Sequence, residues 1–113
     1  MSYTILNRDE LPRDGTSYEF EGYLYGQANV TFILVDAAPG EGPRLHSRPY
    51  EEVFIVQEGS ATYTVGDEML EVTAGQIVVV PANVPHKFVN SGAGQLRQVD
   101  LHTHKQFITN WLE

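Results

Sequence analysis

Turn-forming residues recur at short intervals along this chain, and their spacing constrains the fold more than any other feature. Gly, Pro, Asn and Asp interrupt the sequence about every 8 to 12 residues, which is typical of short strands joined by turns. The segments between them are rich in Val, Ile, Tyr, Phe and Thr, which fit a pleated, half-buried surface. The sequence therefore predicts an all-β protein. Strands are expected at residues 18–25, 29–36, 52–57, 61–65, 69–72, 76–80, 86–90 and 95–102.

Three segments carry further local patterns. Gly66 and Asp67 separate the strands at 61–65 and 69–72, and they predict a tight hairpin turn. The apolar run at 76–80 does not alternate with polar residues, so we expect both faces of that strand to be covered. In residues 106–112 the apolar side chains fall on one side of a helix, which predicts a short C-terminal helical turn.

Length and composition favour one domain over residues 1–113, because 42% hydrophobic residues can build a single core. The first 20 residues lack the basic start and apolar segment of a secretory signal, and no stretch approaches the about 20 apolar residues of a membrane span. We therefore expect a cytoplasmic protein without a membrane partner. The net charge of -8 would repel a phosphate backbone, so no nucleic-acid partner is expected either.

The absence of cysteine limits the chemistry available to the chain. Disulfides, thiolate nucleophiles and cysteine-bound metal sites are all excluded. Histidine and carboxylate side chains remain as the strong metal ligands, and the chain contains only four histidines. The positions of these histidines therefore decide whether a metal site is expected.

Two spaced motifs resemble those of the cupin family. Residues 40–59 read G-x5-H-x-R-x3-E-x6-G, and the first cupin motif is G-x5-H-x-H-x3-E-x6-G. Residues 75–90 read G-x5-P-x-N-x2-H-x3-N, and the second cupin motif has Gly at the position of Asn83. The resemblance implies a small single-domain cupin, which is an antiparallel double-stranded β-helix or jelly-roll barrel with a site in its mouth.

In cupins, two His and one Glu of the first motif and the His of the second motif bind one divalent metal ion. The resemblance therefore implies that His46, Glu52 and His86 are metal ligands. Two imidazoles and a carboxylate form a set that suits Fe, Mn, Ni or Zn. A divalent metal ion is accordingly the expected cofactor.

Arg48 stands where the family has its remaining ligand, and its guanidinium offers only hydrogen-bond donors. Arg48 could pair with Glu52 in a metal-free barrel, bind an anionic substrate group beside a three-ligand metal, or turn out to solvent. His102 and His104 lie on one face of the last strand and offer a replacement ligand, with His102 the first candidate.

Two main functional hypotheses follow from this resemblance. In the first, the chain is a metal-dependent enzyme acting on a small anionic or oxygenated metabolite, with dioxygenase or isomerase and lyase chemistry both compatible. Arg48 would anchor an anionic group of the substrate and Glu52 could act as a base. In the second, the chain is a metal-free small-ligand-binding cupin without catalysis, in which Arg48 takes the place of a metal ligand. A purely structural barrel is a third hypothesis.

Cupins commonly dimerise, so the resemblance also suggests a homodimer. The N-terminal strands or an outer sheet face would form the interface. The expected exposure of Tyr23, Tyr25 and Phe32 is compatible with such a contact.

Overall fold

The computed structural model describes residues 3–113, which form short strands and two 3-10 helices. The helices are Arg8–Glu10 and Gly22–Leu24. The strands are β1 (Arg13–Asp14), β2 (Ser17–Glu21), β3 (Thr31–Ala37), β4 (His46–Ser47), β5 (Glu52–Glu58), β6 (Ser60–Val65), β7 (Glu68–Thr73), β8 (Ile77–Val80), β9 (His86–Asn90), β10 (Leu96–His102) and β11 (Asn110–Trp111). Within residues 3–113, no helix is long and apolar enough to cross a bilayer.

The strands form two antiparallel sheets that pack face to face. The large sheet has the order β1-β2-β3-β10-β5-β8, and the small sheet has the order β11-β4-β9-β6-β7. β6 and β7 form the predicted hairpin, with Val65 paired to Glu68 next to the turn. Most other neighbouring strands are distant in sequence, as in a jelly roll. The prediction of an all-β jelly-roll barrel is confirmed.

The interior of the barrel is apolar at one end and polar at the other. Along β5 the inward positions run from Glu52 through Phe54 to Val56, and all three are almost completely buried. Along β10 the inward positions run from Leu96 to His102, so both strands become polar towards the same end. Burial of the apolar end stabilises the barrel, and the polar end carries the side chains that can bind a ligand.

The prediction that both faces of the apolar run at 76–80 are covered is wrong. Ile77 is 63% exposed and Val79 is 57% exposed, whereas Val80 is buried. β8 is the edge strand of the large sheet, so only one of its faces meets the core. An apolar run without alternation does not show that one face of the strand is exposed, because the sequence cannot show whether a second layer covers that face.

The prediction of a C-terminal helical turn at 106–112 is also wrong. Asn110 and Trp111 form β11, which pairs with Ser47 and His46 of β4. The backbone of β4 needs partners along this side, and the C-terminal segment supplies them through hydrogen bonds. A two-turn helix at 106–112 would leave the backbone of β4 without these hydrogen bonds, and nucleating so short a helix costs free energy.

The first predicted strand, at 18–25, ends early. β2 stops at Glu21, and a 3-10 helix begins at Gly22. A side chain at Gly22 would collide with the carbonyl oxygen of Ala28, because the following loop folds back onto this point. The close backbone approach, rather than the β propensity of Tyr23 and Tyr25, decides where the strand ends.

Candidate metal centre

A cavity of about 500 Å³ opens at the polar end of the barrel. Inward side chains of β2, β3 and β5, the loop at 40–43 and the C-terminal segment border this cavity. His46, Arg48 and Glu52 of the first motif all line it. The first motif therefore reaches a space large enough for a small ligand.

The fold brings together the three ligands that the motifs predict. His46 on β4 and His86 on β9 are cross-strand partners, and their ring centroids lie 4.4 Å apart. Glu52 begins β5, on the facing sheet. One ligand atom from each of the three residues lies within 4.8 Å of the other two, and all three residues are buried.

Hydrogen bonds to backbone carbonyls orient both imidazoles. Nδ1 of His46 lies 2.7 Å from the carbonyl oxygen of Arg44, and Nδ1 of His86 lies 3.0 Å from that of Val84. Since a carbonyl oxygen only accepts, Nδ1 carries a proton in each ring, and in the neutral form of the ring the lone pair of Nε2 is free. Each histidine thus has the tautomer and the second partner typical of a metal ligand.

A buried imidazole nitrogen faces a carboxylate oxygen at this site. Nε2 of His86 lies 2.9 Å from Oε1 of Glu52 and has no hydrogen-bond partner among residues 3–113, whereas Nε of Arg48 approaches the same Oε1 at 2.8 Å. A lone pair and a carboxylate oxygen at this distance repel unless a proton or a cation lies between them. The donor set at His46, Glu52 and His86 therefore fits a divalent metal ion.

Arg48 is buried and does not turn out to solvent, so that alternative is wrong. Nε of Arg48 lies 2.8 Å from Oε1 of Glu52. Its Nη1 donates to the hydroxyl of Thr109 at 2.7 Å and to that of Tyr50 at 3.3 Å. A fixed positive charge therefore sits beside the carboxylate, held from the C-terminal segment as well as from β5.

His102 lies beside Glu52, and its hydrogen bonds favour the role of a donor over that of a fourth ligand. The Tyr50 hydroxyl accepts from Arg48 and from the backbone N–H of Ile108, so its own hydrogen points to Nδ1 of His102 at 2.8 Å. Nε2 of His102 then carries the proton and lies 3.2 Å from Oε2 of Glu52. His102 thus orients the carboxylate.

Tyr50 is the site residue that sequence analysis missed, and His104 lies apart from the carboxylate. The phenol of Tyr50 is buried and links Arg48 to the histidine on β10. Its only trace in the sequence is its spacing of two from Arg48 and from Glu52, which places it on the same side of an extended chain. His104 stacks on the Tyr50 ring at 5.5 Å, and its Nδ1 accepts from a nearby backbone N–H.

Burial and hydrogen bonding set the charges at the centre. Burial lowers the pKa of His46 to about 4, so this imidazole is neutral at neutral pH, as metal binding requires. Burial also lowers the pKa of His102. For Glu52, burial acts to raise the pKa, but the adjacent imidazoles of His102 and His86 outweigh burial and hold the pKa below its usual range. The centre therefore holds an ionised carboxylate beside the neutral imidazoles of His46 and His102.

Asn83 stands where the second cupin motif has Gly, and its backbone conformation shows why Asn is tolerated there. Its φ is 68°, in the left-handed region that glycine adopts freely and that Asn tolerates better than most residues. The backbone N–H of Asn83 donates to the carbonyl oxygen of Arg48 at 2.7 Å. This turn consequently ties the second motif to the first and helps to position His86, three residues later.

Asp100 ends a buried hydrogen-bonded chain that runs from Tyr63 through Gln98. The Tyr63 hydroxyl donates to Oε1 of Gln98 at 2.7 Å, and Nε2 of Gln98 donates to Oδ1 of Asp100 at 2.7 Å. Burial, and then the charge of Glu52, raise the pKa of Asp100 well above its usual range. Burial therefore favours the protonated form of Asp100, which lines the cavity.

Replacing Asp100 by Asn is expected to raise the free energy of unfolding at pH 7, because a carboxamide matches the protonated acid in shape and hydrogen bonding but has no proton for the unfolded chain to release. Asp100→Leu should be less stable than Asp100→Asn by about 1–3 kcal/mol, since it leaves the Gln98 amide without an acceptor. Urea denaturation of both variants measures the difference. If Asp100→Asn lost as much as Asp100→Leu, the acid would have to be ionised in the folded protein.

This fold and site define a class: a two-sheet β-barrel with a histidine and carboxylate cluster at its mouth. The family model described as "Cupin domain" matches residues 33–104. The chain belongs to the cupin family, and the resemblance carried by its two motifs is confirmed.

Curated relatives of this chain include a protein of unassigned role and a regulator. An uncharacterised protein of Streptomyces coelicolor is 38% identical over 83 residues, which are 74% of this chain and 75% of the relative. The HTH-type transcriptional regulator PuuR of Escherichia coli is 33% identical over 108 residues. That match covers 91% of this chain but 58% of PuuR, so the chain spans little more than half of the regulator.

Solved structures share the fold. Oxalate decarboxylase of Lactobacillus farciminis superposes with a TM-score of 0.80 at 18% identity, over 92% of this chain and 34% of that one. A structure of oxalate oxidase has a TM-score of 0.75 at 19% identity, over 85% of this chain and 54% of that one. Oxalate decarboxylase of Bacillus subtilis, a protein with Mn(II) centres, has a TM-score of 0.78 at 21% identity, over 85% of this chain and 27% of that one.

Proposed function

We propose that this protein binds one divalent metal ion through His46, Glu52 and His86 and takes a small ligand in the cavity beside it. One observation carries the proposal: Nε2 of His86 is buried without a hydrogen-bond partner among residues 3–113 and faces Oε1 of Glu52 at 2.9 Å. When bound, such an ion polarises a ligand oxygen or activates dioxygen. Dioxygenase and isomerase or lyase chemistry are the reaction types that this proposal includes.

Manganese is the first metal to test. Imidazole and carboxylate ligands suit Mn, Fe, Ni and Zn alike, so the ligand types do not choose among them. The structurally similar oxalate decarboxylase of Bacillus subtilis has Mn(II) centres. This supports beginning with Mn²⁺ and comparing it with Zn²⁺ and Ni²⁺.

Charge around the cavity narrows the class of ligand. Arg48 places a positive charge at the wall, and an anionic group between it and the ion would relieve their repulsion. The same cavity is bordered by the carboxylates of Asp14, Glu19 and Glu41. Burial and the neighbouring charge of Asp14 raise the pKa of Glu19, which reflects this acidic setting. We therefore infer a neutral oxygenated ligand or one with a single carboxylate, rather than a multiply charged anion.

A metal-free ligand-binding barrel is the second candidate, and the ion pair of Arg48 with Glu52 favours it. At 2.8 Å the guanidinium neutralises the carboxylate that a metal would need. In this candidate Arg48 acts as the resident cation and the chain binds its ligand without catalysis. Regulation together with a separate DNA-binding chain would be compatible with the likeness to PuuR.

Metal affinity separates the two candidates. We expect the purified protein to contain about one equivalent of metal by elemental analysis and to rebind Mn²⁺ after chelation, as followed by calorimetry. His86→Ala should weaken binding at least about 100-fold, because loss of a ligand exceeds the effect of losing an outer partner. His104→Ala is the matched control and should leave binding unchanged, since this histidine does not contact the cluster.

Arg48→His completes the test by restoring the fourth ligand of the family pattern. It should raise metal affinity at least about 10-fold, since it adds a ligand and removes a repelling charge. If Arg48→His binds metal and the unaltered protein binds none, the metal-free candidate is correct. If neither binds Mn²⁺, Zn²⁺ or Ni²⁺, the metal proposal is wrong.

A further inference from the structure

Residues 106–113 run along the polar end of the barrel as one segment, which we call the strap. After β10 the chain passes Tyr50 and Arg48, to which it is hydrogen-bonded, and it continues into β11, which pairs with β4. Alternate side chains of the strap border the cavity, and these are Phe107, Thr109 and Trp111. The strap is therefore one wall of the cavity.

The strap covers two residues of the polar end directly. The ring of Trp111 lies 5.2 Å from the ring of His46, and the hydroxyl of Thr109 accepts a hydrogen bond from Nη1 of Arg48 at 2.7 Å. His46 is only 4% exposed and Arg48 is only 7% exposed. Both side chains border the cavity, so they would become more accessible if the strap moved away.

Little apolar burial holds the strap in place. No residue of 106–113 is buried, and Trp111 and Leu112 are 50% and 45% exposed. β11 has only two residues and is the edge strand of the small sheet, so it pairs on one side alone. Segments with few buried apolar contacts open at a low free-energy cost, and the lids of binding sites are drawn from such segments.

Polar contacts hold the strap instead, and they differ in strength. At its far end Glu113 pairs with Lys87 at 3.2 Å, but both side chains are exposed, and an exposed ion pair contributes little. Arg48 is buried, and a hydrogen bond from a charged donor is about twice as strong as a neutral one. The contact of Arg48 with Thr109 is therefore the main one that keeps the strap closed.

We propose that the strap opens and closes as a unit, and that the hydrogen bond between Arg48 and Thr109 controls its opening. The open strap uncovers His46 and Arg48 and gives a small ligand a route into the cavity. The closed strap shields the bound ligand from water, as lids of binding sites do. This inference rests on the contacts of the strap and does not depend on the proposed metal site.

A disulfide that locks the strap tests whether its opening uncovers His46. The chain has no cysteine, and the side chains of the cross-strand partners Ser47 and Asn110 lie 3.4 Å apart, so Ser47→Cys with Asn110→Cys can form one. Diethyl pyrocarbonate acylates neutral imidazoles, and the reaction is run with a chelator present. His46 should react at least about 10-fold more slowly in the oxidised variant than in the reduced one, because the low-cost opening is blocked. His104, which is partly exposed and lies outside the strap, is the internal control and should react equally fast in both, as followed by mass spectrometry.

Hydrogen exchange tests the role of Arg48 without the disulfide. The backbone N–H groups of Ile108 and Leu112, which bond to Tyr50 and to the carbonyl oxygen of Leu45, should exchange together and faster than those of β10. Thr109→Val should speed both at least about 10-fold, because a hydrogen bond to a charged group is lost. Thr103→Val makes the same replacement outside the strap, where the hydroxyl contacts only an exposed backbone carbonyl, and should change exchange by less than about 2-fold.

Three results overturn the proposal. The disulfide could leave the reaction of His46 unchanged or slow His104 as much, the two strap N–H groups could exchange as slowly as those of β10, or Thr109→Val could have no more effect than Thr103→Val. Circular dichroism verifies that each variant is folded. If the disulfide variant does not fold, the exchange of the unaltered protein and of the two valine variants decides.

Discussion

Replacing Glu52 by Gln is expected to lower the free energy of unfolding of the metal-free protein by about 3–5 kcal/mol, which is the usual cost of breaking a buried ion pair on one side. Glu52 is 2% exposed and contacts Arg48 at 2.8 Å and His102 at 3.2 Å. A neutral amide leaves the guanidinium buried without a counter-charge. Urea denaturation at pH 7 in the presence of a chelator measures the loss.

A double-mutant cycle shows whether the ion pair causes this loss. Arg48→Met with Glu52→Gln should be less destabilised than the sum of the two single variants, because the double variant buries no unpaired charge. Glu51→Gln is the matched control, since Glu51 is the exposed neighbour, and it should change stability by less than about 0.5 kcal/mol. A loss below 1 kcal/mol for Glu52→Gln, on the order of a surface change, would contradict the assigned role of Glu52.

Acid is expected to destabilise the metal-free protein through His46. Its pKa is about 4 in the folded protein against 6.5 ordinarily, so the unfolded chain binds the proton more readily. The contribution of His46 to stability is present above pH 6.5 and is lost as the pH falls to about 4. The corresponding loss between pH 7 and 4 is about 3 kcal/mol. The lowered pKa of Glu52 adds a further loss as the pH falls below 4.5.

Asp100 opposes the acid destabilisation caused by His46, so Asp100 must be replaced before the contribution of His46 can be measured. Its raised pKa means that the folded protein keeps a proton that the unfolded chain releases above pH 3.8, so it favours folding as the pH falls. The experiment therefore follows urea denaturation against pH in an Asp100→Asn background. Adding His46→Gln should make the curve less steep between pH 7 and 4, with the part due to the lowered pKa of His102 remaining, and adding His104→Gln should not. A curve that His46→Gln leaves unchanged would rule out this assignment.

Much of the metal centre could be predicted because its residues lie at fixed spacings along the chain. His46 and Glu52 are six residues apart and end on facing sheets, since the turn after Arg48 carries the chain from β4 to β5. His86 joins them because β9 pairs with β4. Motif spacing encodes these placements, whereas the strand register that completes them depends on the whole barrel.

The parts that could not be predicted depend on contacts between distant segments. Thr109 reaches Arg48 across 61 residues of sequence, and it does so because the C-terminal segment pairs with β4 rather than forming a helix. His102 was expected to offer a ligand, but its hydrogen bond with Tyr50 and its position 3.2 Å from Glu52 favour a donor role. No local sequence pattern shows which ring nitrogen of a buried imidazole carries the proton, because the neighbouring groups set the tautomer.

By itself, the sequence determined the class of fold and the identity of the polar cluster, because turn residues, strand alternation and motif spacing are local properties of the chain. Only the tertiary structure decided that Arg48 pairs with Glu52 and that the apolar run at β8 faces outward. Both outcomes follow from the position of a strand within its sheet. Whether a side chain meets a charge, a core or water depends on which strands lie beside and above it, and that arrangement is set by long-range pairing.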